Sequence, residues 1–165
     1  MATKPKKMKK TVLKIAAVVV IAFTFSSCAK KSTTTTTTST TPSFSATVSG
    51  SALTFTGTAS LGANYLTITG TGSNYTIILD VPTPVSTTSY TLGSATSSNT
   101  AYATVKTGAG ALWDTDATHS GTLTITTYNA STKIVTGTFS FTAGPVTGTS
   151  TNLTVTNGSF ANISF

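Results

Sequence analysis

From residue 44 to the end of the chain, apolar residues alternate with threonine or serine almost without interruption. A period of two marks extended strands with one buried face. Leu123 and Ile125 stand between Thr122, Thr124 and Thr126; Gly137, Phe139 and Phe141 stand between Thr136, Thr138 and Ser140; Tyr75, Ile77 and Leu79 form another one-sided row. Residues 44–48, 52–56, 65–69, 89–92, 101–105, 153–156 and 159–165 complete the predicted strands. Threonine suits the outer positions, because its β-branched carbon favours extended backbone while its hydroxyl meets water. No stretch carries helical periodicity. About 8–10 short strands predict one all-β domain over residues 44–165, built as a single antiparallel β-sandwich or an up-and-down barrel, and alternation alone does not choose between them.

Turn chemistry makes the neighbours antiparallel. Asn157-Gly158 lies between Leu-Thr-Val-Thr and Ser-Phe and reads as a type I′ hairpin, since both central residues of that turn need positive φ. That register sets Val155 opposite Phe160. Ile163 and Phe165 then fall on the opposite parity from Phe160, which predicts a bulge at Ala161-Asn162. Ser49-Gly50, residues 70–72 and residues 129–132 mark other connections, and Pro82 and Pro84 end the strand at Asp80-Val81 because proline donates nothing to a ladder. Leu-Thr-Ile-Thr or Leu-Thr-Val-Thr starts at residues 66, 123 and 153. Those unequal spacings argue against a solenoid with a regular threonine ladder.

The first 43 residues follow a different rule. Lys4, Lys6, Lys7, Lys9, Lys10 and Lys14 precede an apolar run over residues 15–25, which stops at Ser26, Ser27 and Cys28. The run is shorter than the roughly 20 residues that a spanning helix needs, so it reads as the h-region of a secretory signal peptide over residues 1–27. Small residues before a single cysteine resemble the lipobox of bacterial lipoproteins, with Phe25 where leucine is usual. The resemblance implies acylation of Cys28 and lipid anchoring, with the membrane as a partner. Cys28 is the chain's one cysteine, so no intramolecular disulfide competes for it. Residues 28–43 turn abruptly to Ser, Thr and Pro, a composition with nothing apolar to repay ordering, and read as a disordered tether or an O-glycosylated stalk. Ala29 in place of aspartate implies outer-membrane placement, on the periplasmic face or the cell surface.

Removal of residues 1–27 changes the charge picture. The full chain carries a formal +7, but only Lys30, Lys31, Lys106 and Lys133 would remain against Asp80, Asp114 and Asp116, a balance of +1. The folded part has no arginine and no basic cluster, so it lacks the footprint of nucleic-acid binding.

Concentrated polar chemistry occurs once, in Trp113-Asp114-Thr115-Asp116-Ala117-Thr118-His119. Asp114, Asp116 and His119 are candidate ligands of a divalent cation, against the reading of a solvated loop in which aspartates stabilise turns. The chain has no glutamate and no Gly-x-Ser-x-Gly elbow or metalloprotease helix motif, so the expectation is no enzyme and no cofactor. Asn74, Asn129, Asn152, Asn157 and Asn162 start Asn-x-Ser/Thr triplets, which this composition generates freely. Trp113, Tyr65, Tyr75, Tyr90, Tyr102 and Tyr128 would make a sugar-binding platform where several share an exposed face.

The strings 120–126, 137–143 and 154–160, with 48–53, 66–70 and 89–93 before them, resemble domain-of-unknown-function family 6252 of Bacteroidota lipoproteins. The resemblance covers residues 43 to 165. It implies an all-β fold and an envelope location, and brings no activity or functional residues. The expected function is therefore a lipid-anchored cell-envelope protein acting as a non-catalytic binding or structural module for a glycan or protein ligand. The alternatives are a lipocalin-like carrier of a small hydrophobic ligand and a weak metal-dependent site in the 114–119 loop.

Overall fold

The computed structural model describes residues 41–95, 99–148 and 151–165. The expected signal peptide, Cys28 and most of the tether lie outside the described residues. The chain forms β1 (Ser43–Val48), β2 (Ser51–Leu61), β3 (Tyr65–Thr71), β4 (Tyr75–Pro82), β5 (Ser89–Leu92), β6 (Tyr102–Thr107), β7 (Leu112–Asp114), β8 (Gly121–Asn129), β9 (Ile134–Thr147) and β10 (Leu153–Ser164). The fold is all-β with every strand pairing antiparallel, as the alternation predicts.

Strand order resolves the choice that the pattern leaves open. Pairings run β1-β2-β3-β4-β6-β7-β9-β10 and return from β10 to β1, a closed hydrogen-bonded ring of eight strands. Two long strands make the corners. β2 pairs with β1 through Phe55 and with β3 from Thr56 onwards; β9 pairs with β8 and β10 up to Ala143 and with β7 from Gly144. β5 and β8 extend the sheet beside β9, and a parallel bridge between Leu92 and Ala101 ties β5 back to the start of β6.

The expected Asn157-Gly158 hairpin does not form. β10 runs straight through both residues, with Val155 paired to Phe141 and Phe160 paired to Phe44 and Gly137. Asn157 has φ 50°, but the register shift beside it makes a bulge instead of a reversal. Both devices need positive φ, and β10 already has a neighbour on each edge. The bulge expected at Ala161-Asn162 is present: Asn162 has φ 54° and the register shifts between Phe160 and Ile163, so both apolar side chains point inward.

Phenyl rings and strand glycines together fill the interior. Phe44 lies 5.5 Å from Phe55, 5.3 Å from Phe139 and 6.2 Å from Phe160, centroid to centroid. Its ring crosses to β3, where a methyl group on Gly70 would stand 2.5 Å from ring carbon Cε1. Phe160 meets Gly137 in the same way, and Phe139 meets Gly158. Each buried phenyl contributes roughly 1.5–3 kcal/mol through lost water contact, and ring pairs add about 0.5–1.5 kcal/mol.

Gly70→Ala should therefore lower stability by roughly 1–3 kcal/mol through overpacking against Phe44. Gly108→Ala, with nothing within 4 Å of the added carbon, should stay within about 0.5 kcal/mol of wild type. Urea unfolding of both checks the pair; equal midpoints would contradict the packing account.

Candidate functional site

The three candidate metal ligands separate. Asp114 ends β7 opposite Thr104, whose hydroxyl donates to Oδ1 at 2.6 Å on the outer face of the β6–β7 pair. Thr115 turns inward, 1% exposed. Its Oγ1 accepts from the Ala103 amide at 2.9 Å and donates to the Gly93 carbonyl at 2.7 Å, so it stitches the place where β6 meets the segment after β5. The chain then leaves the sheet in a turn built on Asp116, whose Oδ1 accepts from the amides of Thr118 (2.6 Å) and His119 (2.7 Å) and from the Thr118 hydroxyl (2.8 Å).

His119 Nδ1 lies 3.0 Å from Asp116 Oδ2. The hydrogen bond to His119, followed by those from Thr118, holds the Asp116 carboxyl well below the usual carboxylate range. Among the described residues no three His, Cys, Asp or Glu side chains gather closely enough for a metal ion. A hydroxyl–imidazole–carboxylate relay is also not assembled, because Thr118 Oγ1 (3.0 Å) and Asp116 both contact Nδ1, whereas the relay places them on opposite ring nitrogens.

The candidate aromatics form no shared platform: Tyr75 packs against the core, its ring 6.5 Å from that of Trp113. Trp113 is buried and donates from Nε1 to the Thr151 carbonyl at 2.8 Å. The Tyr90 hydroxyl is held by the backbone of Ser86, and Tyr128 stacks on Phe165. Tyr65 and Tyr102 alone come together on an outer face, edge to face at 5.7 Å. Strand pairing sets Thr67, Asp80 and Tyr102 in one row across β3, β4 and β6.

Asp80 sits on the outward parity of β4, between inward Leu79 and Val81, and yet is only 6% exposed. The Thr67 hydroxyl donates to it, and Tyr102 stands opposite it on β6. Sequence reasoning named both tyrosines but not Asp80. Its one signal was a carboxylate inside an otherwise apolar and hydroxyl strand, and only the register joins it to Tyr102.

The opposite face is a hydroxyl surface. Pairing aligns Ser89, Thr124, Thr138, Ser159, Ser45 and Thr54 in one unbroken row over six strands, with direct bonds Ser89–Thr124 (2.8 Å) and Ser45–Ser159 (3.1 Å). An open depression of about 450 Å³ lies over its middle, lined by Thr122, Thr124, Thr138, Ser140, Asn157 and Ser159 among others.

A family model for a domain of unknown function, DUF6252, matches residues 40–164. No curated protein and no solved structure matches the chain.

Burial, then the neighbouring Asp80 carboxylate, pushes the Tyr102 phenol up to about 12. An unfolded tyrosine ionises near about 10. The folded state therefore holds this proton more tightly, and the stability so gained is complete below about pH 10 and lost as pH rises towards 12. Between about pH 9 and pH 11 the wild-type urea midpoint should fall more steeply than that of Tyr102→Phe; parallel curves would show that the phenol is not held.

Proposed function

The chain belongs to the DUF6252 family, and on that footing we propose that it is a lipid-anchored protein of the outer membrane whose barrel serves as a non-catalytic binding module. Acylation at Cys28 would supply the anchor, and residues 29–42 the spacer. Two or more acyl chains, each methylene contributing about 0.8 kcal/mol, hold a protein stably at a bilayer, whereas one chain is marginal.

The observation that carries the binding half is Asp80. Burying a carboxylate on an outer sheet face costs stability unless it is fully bonded, and threonine would serve the sheet equally well at that position. Thr67 holds it and Tyr102 stands opposite it with Tyr65 against the Tyr102 ring, so Asp80 sits beneath a half-buried tyrosine pair whose ring faces suit recognition of an envelope glycan. Phenyl rings occupy the interior, so the support is for an outside surface and not for a lipocalin-like chamber.

Two measurements test the halves separately. In a bacterial host with lipoprotein processing, wild type should be recovered from membranes with the intact mass of a chain starting at an acylated Cys28, and Cys28→Ala should be unprocessed or released. A soluble wild type with a free thiol would overturn the anchor. Tyr65→Ala should weaken retention of purified envelope glycan roughly tenfold, equivalent to ~1.4 kcal/mol, while Tyr90→Ala leaves it unchanged; equal retention by all three proteins would overturn the site.

A further inference from the structure

The strands that carry charge are neighbours. β1, β2, β3, β5, β8, β9 and β10 contain no charged residue, whereas β4 holds Asp80, β6 holds Lys106 and β7 holds Asp114. β6 lies between β4 and β7. Asp80 is paired with Tyr102, and Asp114 is paired with Thr104, the next outward position of β6. The two aspartates are thus two strand spacings apart and one two-residue step along, about 12 Å between backbones. Burial and then Asp80 dominate the hold on the Tyr102 proton, and Asp114 adds to it, so the phenol lies in the field of both carboxylates.

Neither of these carboxylates has a cationic partner. Among the described residues the one ion pair joins His119 to Asp116. Lys133 lies over the Phe165 ring, and Lys106 is exposed beyond Thr104, opposite Thr76 and Leu112. Hydroxyls hold both aspartates instead: Thr67 donates to Asp80, and Thr104 donates to Oδ1 of Asp114. A hydroxyl leaves the charge itself uncompensated. A carboxylate drawn out of water, as Asp80 is at 6% exposure, gains most from a cation brought close to it.

Apolar surface surrounds the two charges. Tyr65 and Tyr102 meet edge to face beside Asp80, Pro82 lies opposite Tyr65, and Ile78 takes the outward position between Thr69 and Thr104. All four are half-buried, so each keeps part of its surface for contact. Ring faces attract cations, and more strongly where water is excluded.

We propose that this face of β3, β4, β6 and β7 binds an oligosaccharide of amino sugars whose nitrogens are free ammonium groups. One ammonium rests on the Tyr65–Tyr102 pair above Asp80, and one on a following sugar meets Asp114. The inference rests on the glycan reading of the tyrosine pair and goes beyond it by fixing the charge of the ligand. A neutral or acidic glycan brings no counter-charge to either carboxylate. A single ammonium cannot serve positions about 12 Å apart, so the ligand carries its charges in series.

Two oligomers of one shape separate charge from fit: the linear tetramer of glucosamine and that of N-acetylglucosamine. The protein, purified from membranes in nonionic detergent, is titrated with each by calorimetry at about pH 6, where amines are protonated. The glucosamine tetramer should bind at least about tenfold more tightly. Asp114→Asn keeps an acceptor for Thr104 and should cut that preference severalfold, while Asp116→Asn, the same change of net charge made in the turn, should leave it intact. Tyr65→Ala should weaken both oligomers. Equal affinity for the two tetramers, binding of neither, or a preference that survives Asp114→Asn would overturn the proposal. Retention of purified envelope glycan by wild type and its weakening in Tyr65→Ala read the glycan surface by itself, so loss of the ammonium preference is told apart from failure of that surface.

Discussion

A ring of eight strands holds together only when its interior is filled, and here the fit is made by phenyl rings lying against glycines. Phe44 is the hub: from β1 it reaches Phe139 and Phe160 on its own side and Gly70 on the far side. A side chain on Gly70 would hold the two walls apart, and a smaller residue at Phe44 would leave them a void. Much else follows from that contact. β2 turns its corner beside it, and the bulges in β10 turn Phe160 and Ile163 inward.

The fold was legible as far as one strand's own pattern extends. Alternation marks which residues of β8 and β9 face inward, and the parity of Phe160 and Ile163 reveals the bulge at Asn162. What depends on partners was not legible. Asn157-Gly158 carries the same backbone demand in a hairpin as in a bulge, and the deciding fact is that β1 and β9 already flank β10. β7 is three residues long and gives no period to read. Closure into a ring rests on Phe44 meeting Gly70, which are 26 residues apart in sequence with a strand between them.

The same division runs through the candidate site. Asp114, Asp116 and His119 are neighbours in sequence, but the chain leaves the sheet at Thr115, and Asp114 joins Thr104 while Asp116 closes a turn with His119. Asp80, Tyr65 and Tyr102 are distant in sequence, and three strands in register bring them together. The two outer faces consequently differ in character. One offers hydroxyls in rows, and the other offers a covered carboxylate between aromatic rings.

One pairing sets the order of events in the life of the chain. β1 and β10 are the first and last strands, and Ser43 lies opposite Ala161. The ring lacks its closing strand until the last dozen residues of the chain are in place. Hairpins from β1 to β9 can pair in any order before that, but β1 keeps one bare edge until β10 arrives, so the seam between the first and last strands is the step that turns an open, edge-exposed sheet into a ring.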